Sequence, residues 1–552
     1  MSLIITHLFN LLSYIAFYAF FYLSGRSFLV VLSSFTKISF NKKILFTKIS
    51  ITYPILGAFF VGNLLIIFNF FFPLKSFIIG IFLFLLILIN FKNLNKQNLS
   101  LSIENLIIFI LIPAILIFSQ YNTGWHYDAG FYHLNHQNWL RESNLIIGMI
   151  NIHWAFGMSS IYEYLSSIFW FDNSFKYLHY LNLMFIHFFY SMLIDNINNS
   201  KEIIIKNSSI FLLIYSLLDN FGINGGRNGF LYIQGVTKQD TAVAILFFTI
   251  ARSIFIFLKK KSVNDIDFSI ILILSLFMIQ IKLSSVTIVV LVIYFIFRMM
   301  NLMRLKMSHF LVISLPSLIF SIVWVLKQYI TTGCFIYPVS VSCINSFDWY
   351  QGGSTEEYES ITRGSSYSIP YFDFNLFDWG MYFYSFEINR TVTTNFLISL
   401  LLLTLFYLIL TRWKRLDISN SLEFFIFIIF NIVYLVYYGP TPRYTMGTFI
   451  LIVVFFGFIT NEFKFKIKKV FIYVFVVLSV SSIVRFSSYT SFFNFEHSNL
   501  FDPRPIAEYV SQKNGYLKPD IGDQCWINLE CTMSTHEILI SNQGFFSVAI
   551  RK

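Results

Sequence analysis

Long apolar runs separated by short polar connectors recur along almost the whole chain. The runs lie near 4–24, 50–72, 76–91, 105–119, 177–195, 208–220, 240–258, 267–281, 284–299, 309–328, 393–411, 422–438, 446–460 and 470–487. Each approaches the length a helix needs to cross about 30 Å of hydrocarbon. Helices are the expected form, because a helix satisfies its own backbone polar groups where no water can. The pattern predicts an all-α polytopic membrane protein with about fourteen transmembrane helices. The first run, MSLIITHLFNLLSYIAFYAFFYLSG, lacks a basic leader and a small-residue cleavage site, so a retained first helix is expected.

Composition agrees with the pattern. The chain is 56% hydrophobic and only 12% charged, with a mean hydropathy of +0.68, too apolar for a soluble domain. The net charge of +11 raises the question of a nucleic-acid partner, and the positions of the basic residues answer it. Alternate connectors carry Lys37, Lys42, Lys43 and Lys48; Lys92 and Lys96; Lys201 and Lys206; Lys259, Lys260 and Lys261; Arg298, Arg304 and Lys306; Arg412, Lys414 and Arg415; and Lys464, Lys466, Lys468 and Lys469. Those seven loops hold 21 of the 39 basic residues, which by the positive-inside rule makes them cytoplasmic. The basic excess reflects topology in a lipid bilayer, and no nucleic-acid partner is expected.

Both termini and the segments 120–176, 221–239, 329–392 and 488–552 then fall outside, which is the periplasm if the organism is Gram-negative, the protein then being expected in the inner membrane. The expected division is 1–119, four membrane helices; 120–176, a periplasmic motif loop with interfacial helices; 177–328, membrane helices; 329–392, a large periplasmic loop; 393–487, membrane helices; and 488–552, a small periplasmic cap. No internal repeat of the inverted-topology kind is visible. All four cysteines lie in outside segments, in two close pairs. Disulfides Cys334–Cys343 and Cys525–Cys531 are expected in an oxidising compartment.

Candidate chemistry concentrates in residues 121–171, which hold Asp128, His126, His133, His136, His153, Arg141, Glu142 and Glu163. Asp128, between Gly124 and Gly130, has two readings: a general base or metal holder facing a lipid-linked substrate, or the cap of the next helix. The histidines lack an acidic partner at HExxH spacing. No cofactor is expected and a divalent metal is not indicated; the histidines read as interfacial anchors or substrate contacts. Trp139, Leu140, Ile146, Ile147, Ile150, Trp154 and Phe156 predict amphipathic helix lying on the surface. Lys238 in GVTKQD, Lys282 in IQIKLSS and Arg443 in GPTPRYTMG sit at outside ends of apolar helices. They either cradle a phosphate or diphosphate or snorkel to headgroups. The 331–394 loop combines Glu356, Glu357, Glu359 and Arg363 with Trp349, Tyr350, Tyr367, Tyr371 and Trp379, a mixture that suits a sugar or an ordinary periplasmic surface.

These motifs together resemble a family of bacterial polytopic membrane glycosyltransferases of the GT-C kind. YDAGFYHLNHQNWLRESNLIIGMINIHWAFGMSSIYEY resembles its D-x-G-hydrophobic-Y-H-L motif followed by a glycine-bearing N-x-H segment. TGCFIYPVSVSCINSFDWY resembles its S/T-G-x-x-x-Y-P loop, GPTPRYTMG its P-x-P-R-Y/F segment and GDQCWINLECTMS its tail. The resemblance implies a GT-C-like fold with an essential acidic residue, at Asp128, over a groove for a polyprenyl-phosphate-linked donor, and it places Arg443 at the late P-R-Y position. Many GT-C enzymes carry the acidic loop after their first helix, whereas four helices precede it here. The expected function is transfer or polymerisation of undecaprenyl-(di)phosphate-linked sugars onto a glycan acceptor in O-antigen or other surface-polysaccharide biosynthesis, as part of an assembly complex. The alternatives are a flippase or transporter of lipid-linked oligosaccharide, and a non-enzymatic scaffold.

The cysteine reading predicts that unreduced, denatured protein takes up no maleimide, and that reduction exposes four reactive thiols. Four labelled thiols without reduction would contradict it.

Overall fold

The computed structural model describes the chain apart from residues 1, 37–41, 91–101, 122–123, 172–173, 219–237, 304–305, 345, 351–354, 357, 360–374, 412–420, 439–441, 461, 466–469, 471, 477–478, 481–506, 535, 545 and 552. The described residues are mostly helical: α1 Ser2–Thr36, α2 Ile49–Asn69, α3 Ile78–Asn90, α4 Ile103–Leu106, α5 Ile112–Leu116, α6 Leu134–Glu142, α7 Ile161–Ser167, α8 Lys176–Asn199, α9 Ile203–Leu218, α10 Asp240–Lys260, α11 Asp265–Ile281, α12 Thr287–Met303, α13 Met307–Thr332, α14 Leu376–Ser385, α15 Glu387–Thr411, α16 Leu422–Tyr438 and α17 Pro442–Ile459. Among them, seven helices are long and apolar enough to cross a membrane, counting Ile103–Gln120 as one continuous helical run. Shorter apolar helices include Ile203–Leu218 and Thr287–Met303. The expected helix at 470–487 lies partly outside the described residues.

α10 is buried from Asp240 to Leu258, whereas little of the apolar part of α13 is buried. α10 is therefore the axis of the bundle, and elements meeting its two ends define the ends of the molecule. At one end a tight hairpin, β1 Lys43–Ile44 with β2 Thr47–Lys48, is clamped between helix ends. The Lys48 ammonium lies 2.6 Å from Glu104, the Lys48 N–H donates to Asp195 at 2.9 Å, and the Leu45 N–H donates to Asp267 at 2.7 Å. Phe46 stacks on Phe257 near the end of α10.

The opposite end carries both disulfides, Cys334–Cys343 and Cys525–Cys531. Here the 121–171 stretch lies across the ends of α2, α11 and α13. The Leu145 N–H donates to Asn69 O at 2.7 Å, Ser160 Oγ to Ile281 O at 2.7 Å, and the Gly148 N–H to Ile330 O at 3.0 Å. Residues 507–551 form two hairpins, β3 Tyr509–Ser511 with β4 Leu517–Pro519, and β5 Ile538–Gln543 with β6 Phe546–Arg551. β6 docks edge-on to Ile147, exchanging two 2.9 Å backbone bonds through Ser547 and Ala549.

The surface-lying amphipathic helix expected across Trp139–Phe156 does not form. α6 stops at Glu142 and two short 3₁₀ turns, Met149–Asn151 and Trp154–Met158, follow. Leu140, Ile146, Ile150 and Phe156 are buried. The apolar positions that read as membrane contacts meet the cap and helix ends instead, because two further segments of the chain cover them.

α1 and α2 cross with their backbones in contact. A Cβ on Gly25 would lie 1.8 Å from Tyr53 O, and one on Gly57 would lie 2.0 Å from Phe21 O. Small residues permit such close approach, which is a main source of helix association in lipid. Gly25→Ala should force the helices apart and destabilise the fold by about 3 kcal/mol, read as a lower melting temperature of the detergent-solubilised protein. An unchanged melting temperature would contradict this crossing.

Candidate functional site

Asp128 immediately precedes a short π-helical turn, Ala129–His133, but its carboxylate makes no cap bond. It lies 3.3 Å from Lys238 Nζ and 3.4 Å from His126 Nδ1. The capping alternative therefore fails for this side chain, and the snorkelling alternative fails for Lys238. His126 also accepts the Asp128 N–H at 3.0 Å, which folds the two residues onto one another.

Lys238 opens a tripeptide, Lys238-Gln239-Asp240, at the start of α10, whose three side chains reach three different elements. Lys238 takes Asp128. Gln239 Nε2 donates at 3.0 Å to Glu163 in α7. Asp240 accepts from Lys282, just beyond α11, at 2.5 Å. Lys282 is in extended backbone at the point where α11 breaks, and its ammonium stands 4.8 Å from the centre of the Tyr444 ring. Such a position over an aromatic face favours a cation.

Glu163 is the hub of a closed network. It accepts from Gln137 at 2.6 Å and from Gln239, and is in close contact with His133 Nδ1. Gln137 in turn accepts the Trp170 indole N–H at 2.9 Å. A buried carboxylate is tolerated when its oxygens are met in this way.

Beside the second ion pair lies a small, open cleft, lined by Asp240, Ser284, Ser285, Asn431, Tyr434 and Tyr444 among others. Thr287 Oγ1 donates to Asn431 at 2.7 Å across its floor. Val243, Ala244, Phe247 and Leu435 provide an apolar wall. The arrangement sets hydroxyls, an amide and a paired charge at one end of an apolar groove, which suits an amphiphile with a polar head.

The C-terminal cap covers the Asp128 segment from the other side. The Trp526 N–H donates to Gly130 O at 2.9 Å, and a Cβ on Gly130 would press to 2.7 Å from the Trp526 ring. Gln524 donates to Tyr127 O at 3.0 Å, Asn135 and Asn138 donate to backbone carbonyls of Asn528 and Ile527, and the Tyr127 hydroxyl contacts Asp523. Burial and the Asp523 carboxylate push the Tyr127 phenol up to about 12, so Tyr127 stays a donor.

The sequence-predicted residues thus divide. Asp128, His126 and Lys238 come together, and Lys282 stands on the other side of the same α10 terminus. His133 and His153 are held by other contacts. Both are buried; His133 is committed to Glu163, and His153 Nδ1 accepts the Ala155 N–H at 3.0 Å as the cap of a 3₁₀ turn. The Arg443 side chain lies outside the described residues, although its backbone opens α17 beside Tyr444. Of the proposed sugar-stacking rings, Trp349 is buried against Gly148 and Tyr350 packs on Gly333; Tyr367, Tyr371 and the Trp379 side chain lie outside the described residues. Among the described residues, no group of three His, Cys, Asp or Glu side chains is placed to hold a metal ion. Asp240 was missed, although it stands two residues from Lys238; a carboxylate at a helix start reads as an ordinary first-turn acid.

Fold and site together define a helical membrane-type protein with a polar, ion-paired site at its disulfide-bearing end. The chain belongs to the family described as domain of unknown function DUF8201, which matches residues 8–450 and so includes Asp128, Lys238, Asp240 and Lys282. No curated protein and no solved structure matches it.

Burial lowers the His153 imidazole from 6.5 to about 4. The unfolded chain takes up this proton near 6.5 and the folded chain only near 4, so the stability His153 contributes is complete above 6.5 and is lost as pH falls towards 4. The neighbouring His136, held low by burial and then by Lys327, acts in the same direction. Melting temperature should fall between pH 7 and pH 4.5, and His153→Asn, which keeps a capping acceptor, should flatten the fall. An equal slope in the variant would contradict a neutral, buried His153.

Proposed function

We propose that the protein is a GT-C-like membrane glycosyltransferase with about fourteen spans, acting at the periplasmic face of a bacterial inner membrane. Its substrates are undecaprenyl-(di)phosphate-linked sugars, transferred or polymerised onto a glycan acceptor in O-antigen or other surface-polysaccharide assembly. The observation that carries the reading is the Lys238-Gln239-Asp240 terminus of α10, which brings Asp128 and Lys282 to one end of the bundle beside an amphiphilic cleft.

The side assignment rests on the lysine-rich connectors, and two disulfides at the other end support it, since disulfides persist in oxidising compartments. In the reaction, Asp128 orients the acceptor hydroxyl and takes its proton as the new glycosidic bond forms. The bond from the sugar to phosphate oxygen breaks, and its electron pair leaves with the phosphate. Lys282, Lys238 and Arg443 stabilise that developing charge. His126 Nδ1, which accepts the Asp128 N–H at 3.0 Å, fixes the backbone that carries this carboxylate. Such donors arrive on lipid, which fits a sequence without a GxxxxGK nucleotide loop.

Replacing Asp128 with Asn in a strain dependent on this gene, at normal protein level, should abolish the glycan product and leave lipid-linked units facing outward. Normal polysaccharide would contradict the role of Asp128. Units trapped facing inward would point to a flippase instead.

A further inference from the structure

The Lys282–Asp240 pair differs in accessibility from one partner to the other. The Lys282 side chain keeps 24% of its surface exposed, whereas Asp240 keeps 5%. The ammonium is therefore the more accessible member of the pair, with Asp240 already on it at 2.5 Å. Asp240 also lines the cleft. Its position in the first turn of α10 supplies a second source of stabilisation, because a helix N-terminus favours a carboxylate whether or not the lysine is present. Lys282 likewise keeps the Tyr444 ring face. Each member of the pair has somewhere to stay when the other is taken.

The closed networks elsewhere lack this property. Glu163 is held by His133, Gln137 and Gln239 at once, and Asp195 by Lys48 and Asn199.

Resting on the proposed transferase reading, we propose that Asp240 is a stand-in anion that occupies, at Lys282, the place taken by the phosphate of a lipid-linked substrate. The substrate enters by exchange, phosphate replacing carboxylate on the ammonium. Ser284 and Tyr444 line the same cleft with hydroxyls that would donate to phosphate oxygens, while Val243, Phe247 and Leu435 line the wall along which an apolar chain would run; Ser285 already donates to Lys282 O at 3.0 Å. Asp240 is thus a specificity-determining residue. A neutral polyprenol lacks the charge needed to displace it, and free phosphate lacks the tail that the wall would bury.

The exchange makes an unusual prediction: removing the carboxylate should improve binding. In phosphatidylcholine nanodiscs, full-length D240N should bind a fluorescent polyprenyl monophosphate roughly tenfold more tightly than wild type, since the competing charge-assisted bond is gone. D240E should return affinity towards wild type, and K282A should weaken it by about tenfold or more. Polyprenol and inorganic phosphate at equal concentration should not displace the probe. D240N binding no more tightly than wild type, or inorganic phosphate displacing the probe, would overturn the proposal.

A measurement on the unaltered protein covers any failure of D240N to fold. Carbodiimide modification of Asp240, followed by peptide mass spectrometry, should rise on adding polyprenyl monophosphate and stay constant with polyprenol; no rise would overturn the exchange. The glycan phenotype of the Asp128→Asn strain reports separately. Exchange with a normal phenotype removes the transferase reading and leaves the stand-in, whereas lost glycan without exchange does the reverse.

Discussion

Charge placed at the end of an apolar helix bundle must be paired, and here the pairing is organised from a single point. Three successive side chains at the start of α10 reach Asp128, Glu163 and Lys282, the first two from the 121–171 stretch and the third from the break after α11, with the long helix α8 and α9 to α11 between them. Removing one partner of a buried ion pair typically costs about 3–5 kcal/mol because the other charge is left unpaired. The α10 terminus therefore fixes the placement of both ends of the 121–171 stretch, at Asp128 and in α7, relative to the break after α11. α10 can serve as this reference because it is buried from Asp240 to Leu258.

The same end is then closed by close packing. Trp526, bracketed by the Cys525–Cys531 disulfide, lies on Gly130, two residues beyond Asp128. Gly148, at a φ of +68°, admits both the Trp349 ring and the Ala549 carbonyl, and Asn151 donates to Trp349 O and Ala549 O at 2.8 Å. The carboxylate segment is thus backed by the cap on one side and tied to α10 on the other. A site built this way is preorganised, which is what charge stabilisation in a reaction requires. The second ion pair is different in kind, since its lysine keeps about a quarter of its side chain exposed while its carboxylate lines the cleft.

Much of the helical layout was legible because hydrophobic run length is set by the solvent the chain must face. The cysteine pairs were legible because they are local. Asp128 and Lys238 could be singled out as odd charges in apolar surroundings, but their pairing, 110 residues apart, could not be read from either. The surface-helix reading of 139–156 failed for a related reason. Apolar residues destined for a protein cover and for a lipid surface look alike until the covering segments, 334–350 and 525–551, are in place. The burial of His133 and His153 could not be read from sequence, because a buried histidine carries the same letter as an exposed one. Asp240 escaped notice as a first-turn acid, and only the arrival of Lys282 from another helix gives it a role.

The central claim is that the cleft between the start of α10 and the start of α17, beside Lys282, receives the phosphate end of a lipid-linked substrate. Photo-crosslinking with a polyprenyl phosphate carrying a diazirine next to the phosphate, followed by peptide mapping, tests it most directly. The account predicts adducts on the segments around 238–247, 282–287 and 431–448, competed by unlabelled polyprenyl phosphate. Adducts confined to the exposed faces of α13 or α15, with none on those three segments, would contradict it.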